Sequence, residues 1–305
     1  MPSVETLAAY VTEQRNEASI DIDSKSALEI VAIINNEDKK VPGAVERILP
    51  QIAALAEDIV TAIKKGGRLF YIGAGTSGRF GILDAAECPP TYGVEPGLIR
   101  ALIAGGIPAF TQAVEAAEDR YEEGAAELKN NGFCRDDVLV GITASGSAPY
   151  VLGALEYAQG MGAVTGAISC NPDSKTFIYA KHQLYVNVGP EVITGSTRMK
   201  SGTAQKLILT MLSTTVMIRL GKVYKNFMVD LKPTNQKLVL RSLRLIMEIT
   251  GCSLDEAETA FSASGNQPKI AIIMVQHGID RMEAERRLRE ADEHISAIIS
   301  TGKRT

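Results

Sequence analysis

Between residues 68 and 189 the chain repeats one pattern five times. A short apolar run ends near a loop of Gly, Ser or Asn, and a helix-compatible stretch separates it from the next run. The runs are RLFYIG (68–73), LIRALIAGG (98–106), DVLVGITASG (137–146), AVTGAISCN (163–171) and QLYVNVG (183–189). Strands that alternate with helices form a parallel sheet with right-handed crossovers. In such sheets a ligand binds beyond the carboxyl ends of the strands, where the strand order reverses. Here those ends carry glycines and hydroxyls. The expected fold is α/β: a doubly wound five-stranded parallel sheet flanked by helices.

Helical spacing of apolar residues marks the flanks. Ser26 to Ile34 reads as one helix and Val45 to Lys64 as one or two more, stopped by Gly66-Gly67. After Gly202, AQKLILTMLSTTVMIRLG is apolar nearly all round and should be buried, within the core or in a subunit interface. The tail reads as a small helical bundle. Ser253 and Glu256 form a capping-box pattern, and Gly251, Gly265 and Gly278 stand at expected helix stops. The predicted division is an N-terminal helical segment (1–58), a ligand-binding domain (59–222) and a C-terminal helical domain (223–305).

Charge and composition exclude several classes. The net charge is −4 with dispersed bases, which gives nucleic acid no electrostatic footing. The N-terminal residues lack the basic region and apolar core of a signal peptide. The most apolar segment, Leu207 to Ile218, is too short and too polar to span a bilayer. Four cysteines without a C-x-x-C pair read as thiols of a reducing compartment, so the cytoplasm is the expected location and no membrane partner is expected. Three scattered histidines give no zinc-type spacing.

Gly73, Gly75 and Gly78 follow the first strand in G-x-G-x-x-G spacing and open a helix. Backbone N–H groups and a helix N-terminus there suit an anion, and phosphate is the physical expectation. A dinucleotide site also wants an acidic residue at the tip of the second strand, but that strand ends in Ala-Gly-Gly. Thr76 and Ser77 add hydroxyls to the loop, and a second hydroxyl loop, TASGSAPY (143–150), ends the third strand. Two such loops can wrap one compact sugar phosphate. The plainer reading is that Ser and Gly are common in turns.

Longer motifs carry a specific resemblance. GAGTSGRFGILDAAECPPTYG, AVEAAED, TASGSAPYV, ISCNP, GPEVITGSTRMKSGTAQK and NFMVDL together resemble the N-acetylmuramic acid 6-phosphate etherases, bacterial enzymes built on the sugar isomerase (SIS) domain. The likeness covers nearly the whole chain. It implies an SIS-type sheet and a homodimer whose sites are often completed by the partner subunit. It also implies hydrolytic cleavage of the ether between sugar C3 and the lactyl group, giving N-acetylglucosamine 6-phosphate and D-lactate in amino-sugar recycling. The implied reaction is an elimination followed by water addition, with two carboxyl groups and no metal or redox cofactor. Glu87 and Glu118 fall on the family's catalytic glutamates. Gly75, Thr76, Ser77, Gly78, Ser145, Gly146 and Ser147 match its phosphate-holding loops. Family members usually read ASGRTPY in the second loop, so Ser147 and Ala148 stand where Arg and Thr are usual. Glu191, Ser196 and Lys200 lie in GPEVITGSTRMK; they close the site, or Ser196 and Thr197 merely cap the following helix.

The residues themselves say less about the two glutamates. Pro89-Pro90 should stop the helix by Glu87–Cys88. Glu87 would then sit at a helix C-terminus one turn after Asp84, and both negative ends would raise its pKa and suit it to be the acid. An exposed surface glutamate fits equally well. Glu118 is expected on one long helix from Pro108, along a border shared with Glu115 and Glu122. Spacing alone favours a solvated acidic edge there and does not prefer Glu118 over Glu115. Only the resemblance selects Glu118, as the base at C2.

Overall fold

The computed structural model describes residues 8–233 and 235–299. Five parallel strands form one sheet: β1 (Leu69–Gly73), β2 (Ile99–Ile103), β3 (Val138–Ile142), β4 (Val164–Ser169) and β5 (His182–Tyr185). Their order is β2-β1-β3-β4-β5. β1 pairs with β2 on one side and β3 on the other, so the strand order reverses between β1 and β3. β1 and β3 are buried along their whole length, as a sheet covered on both faces requires. The doubly wound five-stranded sheet expected from the sequence is present.

The chain divides into two compact units, residues 1–86 with 97–213, and residues 87–96 with 214–305. The first unit includes the helices between Ala27 and Lys64 together with the sheet.

In the sheet unit, Phe70, Ile72 and Leu139 pack with Leu128, Phe133, Tyr150 and Leu155. The helices Tyr121–Asn130 and Pro149–Gly160 cross at two glycines. A Cβ at Gly124 would lie 2.0 Å from the Tyr150 carbonyl oxygen, and one at Gly153 would lie 2.1 Å from that of Tyr121. Backbone meets backbone there, so neither side can yield. N-terminal to the sheet, the helix Ala27–Asp38 begins in a full capping box between Ser26 and Glu29. The helices Lys40–Glu46 and Leu49–Lys64 follow.

In the other unit, helices Gln236–Thr250, Leu254–Ala263, Pro268–His277 and Arg281–Glu290 enclose Ile246, Phe261, Ile272 and Leu288. The expected Ser253–Glu256 capping box forms. Gly251 and Gly278 end their helices at φ 74° and 62°, conformations that glycine adopts without a Cβ penalty. No helix among the described residues is long and apolar enough to cross a membrane.

The helix after β1 departs from expectation. It runs from Gly75 to Tyr92 with Pro89 and Pro90 inside it. Proline removes an N–H donor but its fixed φ is itself helical. Burial of Ala85 and Cys88 holds the last turns, and the helix stops at Gly93 (φ 66°), four residues later than predicted.

Two glycine substitutions separate backbone crowding from helix propensity. Gly153→Ala should destabilise by about 1–3 kcal/mol in urea unfolding, because its Cβ meets a backbone oxygen. Gly43→Ala, in the open on the helix Lys40–Glu46, should stabilise by about 0.5–1 kcal/mol.

Candidate active site

The first and third glycines of the loop exist for close packing. A Cβ on Gly73 would stand 2.7 Å from the Gly78 nitrogen, and one on Gly78 would stand 2.7 Å from the Gly73 oxygen and 2.6 Å from Ile103 Cγ1. These contacts draw the helix N-terminus down onto β1 and β2. The middle glycine differs: Gly75 has φ 53°, open space around it and an exposed backbone. The left-handed turn at Gly75 presents the start of an 18-residue helix to solvent, where its free N–H groups favour an anion. Thr76 is half-buried, and Ser77 is buried with its Oγ donating to Gln205 Oε1 at 3.0 Å.

The second loop leaves the neighbouring strand end, since Gly73 and Ile142 are register partners. Its hydroxyls bond one another. Gly146 N–H donates to Thr143 Oγ1 at 3.1 Å, and Ser145 Oγ accepts from Ser147 Oγ at 3.1 Å and from Ser147 N–H at 3.3 Å. Gly146 has φ 78°, and a Cβ there would meet Ser174 Oγ at 2.2 Å. Asn171, at the end of β4, donates to the Ser145 carbonyl at 3.0 Å and fixes the loop from below. Ala148 is buried at the N-cap of the next helix and offers it no side-chain bond.

Glu118 is not on a long helix. The stretch after β2 breaks into a short helix, Pro108–Thr111, and a 3-10 turn, Ala117–Asp119, before the helix at Tyr121. Ala116 at φ 57° makes the break. Arg79 holds the short helix by donating to the carbonyls of Ala109 (2.8 Å) and Phe110 (3.0 Å). The result is a pocket of about 320 Å³ whose lining includes Gly75, Arg79, Ala117, Glu118 and Asp119. Glu118 therefore shares a pocket with the open glycine of the loop, and Glu115 does not line it. The Glu118 carboxyl opens to solvent at the pocket mouth, yet the protein crowding its other sides raises its pKa above 4.5, with the Asp119 charge second.

Glu191 and Lys200 are bonded within the chain. Glu191 is fully buried, and its two carboxylate oxygens accept the N–H groups of Lys200 and Ser201 at 2.9 Å each. It caps the helix Lys200–Arg219. Lys200 is buried, with Nζ 2.7 Å from Glu37 Oε2. Burial alone would raise the Glu37 carboxyl, but bonds from Lys200, Lys40 and Asn16 outweigh it and bring it to about 2. Ser196 stays half-exposed in the turn before the helix.

Comparison with known proteins decides the family. The chain is 53% identical over 293 residues to the N-acetylmuramic acid 6-phosphate etherase of Glaesserella parasuis serovar 5, covering 96% of both chains. It is 54% identical to that of Escherichia coli O127:H6, covering 94% of this chain and 96% of that one. The chain belongs to the N-acetylmuramic acid 6-phosphate etherase family. Within it, residues 51–159 match the model of the glucokinase regulatory protein N-terminal SIS domain. A solved phosphoheptose isomerase from Francisella tularensis is similar at a TM-score of 0.47 and 18% identity, over 64% of this chain and all of that one.

The family motif DAAECPPTYG lies on the helix Gly75–Tyr92. Because that helix continues past the prolines, Glu87 is not at its C-terminus. Glu87 is exposed on its surface. Asp84, one turn earlier, is the carboxyl whose surroundings are unusual. Burial raises its pKa to about 6, against the opposing bonds from Ser213 Oγ and Tyr71 OH at 3.0 Å each. In the sequence Asp84 stands out only as a charge one turn before Glu87. The fully buried Tyr71 hydroxyl could have pointed to it, since a buried phenol needs a polar partner.

The raised Asp84 pKa fixes the sign of a stability effect. The folded state holds this proton up to about pH 6 and the unfolded state releases it near 3.8, so stability falls as pH rises across that window. Asp84→Asn should match the natural protein near pH 4 and exceed its unfolding free energy by about 2 kcal/mol at pH 7. Urea titrations of both proteins at the two pH values measure the gap.

Proposed function

We propose that the chain cleaves the lactyl ether of N-acetylmuramic acid 6-phosphate to N-acetylglucosamine 6-phosphate and D-lactate, in cell-wall amino-sugar recycling. Family membership over nearly the full length supports the reaction. The observation that carries the assignment of residues is the pocket shared by Glu118 and the open Gly75 turn. It sets a carboxylate of raised basicity beside an anion-holding helix start.

In this reading the glycine loop and the Thr143–Ser147 loop hold the 6-phosphate, and the sugar reacts as its open-chain aldehyde. The carbonyl at C1 acidifies the C2 proton. Glu118 takes that proton, and Glu87, assigned by its place in the family motif, gives one to the departing lactyl oxygen. A C2–C3 double bond forms as the C3–O bond breaks. Water then adds at C3, its proton returns to a carboxylate and C2 is reprotonated. Every step is acid–base chemistry.

We assign the protein to the cytoplasm as a homodimer with neither nucleic acid nor membrane as partner. All four cysteines are free thiols, as a reducing compartment keeps them. The helix Ala27–Asp38 leaves Leu28 78% and Val31 56% exposed, an apolar face that a second copy would cover.

Incubation with N-acetylmuramic acid 6-phosphate in heavy-oxygen water should release D-lactate and leave the label at sugar C3. A folded protein that binds the sugar phosphate and frees no lactate would instead be a sensor. Glu118→Gln should abolish C2 proton exchange, while Glu87→Gln should block lactate loss more than exchange; equal loss of both would remove the acid role from Glu87.

The base works as a carboxylate, so kcat/KM should fall as pH drops through the Glu118 pKa. The acid limb of the pH profile should lie above 4.5 and move down in Asp119→Asn. A limb at or below 4.5 in the natural protein would overturn the raised Glu118 pKa.

A further inference from the structure

Gln205 lies on the helix Lys200–Arg219 and is 1% exposed. Its Oε1 accepts the Ser77 hydroxyl, but its Nε2 is buried and has no partner. This helix lies hard against the glycine loop. A Cβ at Gly202 would come within 3.1 Å of Phe80 Cε2 and 3.5 Å of Thr76 Cγ2. Native interiors almost always pair buried polar groups, so an unpaired amide beside a candidate anion site needs an explanation.

Neither orientation of the amide is satisfied from within the chain. With Oε1 on Ser77, both Nε2 hydrogens lack an acceptor. Turned by a half rotation about its last torsion, the amide donates from Nε2 to Ser77 Oγ, and Oε1 then needs a donor. The two orientations differ in what Ser77 offers a ligand. In the first, its hydroxyl hydrogen is committed to Gln205, and a phosphate oxygen gains nothing from it. In the second, that hydrogen is free.

We propose that Gln205 is a positioning residue for the anion cradle. Its amide turns when a phosphorylated sugar enters, donates to Ser77 Oγ and frees the Ser77 hydroxyl to donate to a phosphate oxygen. The proposal rests on the reading of the glycine loop as the phosphate-holding element. Each orientation leaves one buried group of the amide unpaired, so the bond from Ser77 to the ligand decides between them, and Gln205 itself touches no reacting atom.

Two substitutions separate this role from simple packing. Gln205→Glu keeps the shape, but its carboxylate only accepts and so keeps the Ser77 hydrogen. Gln205→Met keeps the volume, accepts nothing of consequence and leaves that hydrogen free. Binding of N-acetylglucosamine 6-phosphate is measured by calorimetry at pH 8, with thermal melts confirming that each variant is folded. The expected result is a loss of about tenfold or more for Gln205→Glu and a change within about threefold for Gln205→Met. Affinity of Gln205→Glu should recover toward pH 6 as the introduced carboxyl takes a proton, and turnover should show the change in KM with kcat little altered. Equal weakening in both variants, or natural affinity in Gln205→Glu, would overturn the role. Lactate release by the natural protein is scored separately. If it is active and the variants bind alike, the etherase reading stands without Gln205. If it binds the sugar phosphate without lactate release and the variants still split, Gln205 keeps its role and the etherase reading falls. Absence of binding by the natural protein would remove both.

Discussion

The close approach of Gly73 and Gly78 is the constraint on which the candidate site depends. It seats the helix Gly75–Tyr92 directly on the end of β1, where no side chain would fit between them. β1 is the strand at which the sheet order turns, with β2 on one side and β3 on the other. A helix start fixed there lies next to the loop that leaves β3, and next to the turn after β2 that carries Glu118. Freedom of backbone is spent at Gly75 alone, where the chain turns left-handed and opens to solvent.

Around this point buried charges hold backbone or pair with one another. Glu191 takes two N–H groups at the start of the helix Lys200–Arg219, and Glu37 neutralises Lys200 in the same region. Removing one member of such a pair would strand a charge in the interior. The second use of polarity in this unit is hydroxyl on hydroxyl, from Thr143 to Ser147, with the loop supported by Asn171.

The two glutamates stand in different surroundings. Glu118 is in a pocket, partly desolvated and beside Asp119, and the protein strengthens it as a base. Glu87 is on the exposed side of a continuous helix, and its assignment comes from the family motif. Asp84, half-buried, has the raised pKa that was expected of Glu87. Helix continuation through Pro89-Pro90 explains the exchange: local proline chemistry favoured a stop, and burial of Ala85 and Cys88 outweighed it.

The sequence by itself determined the strands, their parallel arrangement, the caps of the C-terminal helices and the glycine loop that opens a helix after the first strand. Each of these follows from residues near one another in the chain: apolar runs, glycines at turns, a serine three residues before a glutamate. Longer motifs, matched across nearly the whole chain, also marked the family. Tertiary structure alone decided that the stretch from Pro108 breaks before Glu118, that Glu191 and Lys200 are consumed in capping and pairing, and that Gln205 meets Ser77. Glu191 reaches N–H groups nine and ten residues on, Lys200 and Gln205 meet partners more than a hundred residues away, and the pocket wall is formed from several segments. A carboxylate reads the same in sequence whether it caps a helix, pairs with a lysine or waits in a pocket. Its neighbours in space, which set its hydration and its hydrogen bonds, distinguish these cases.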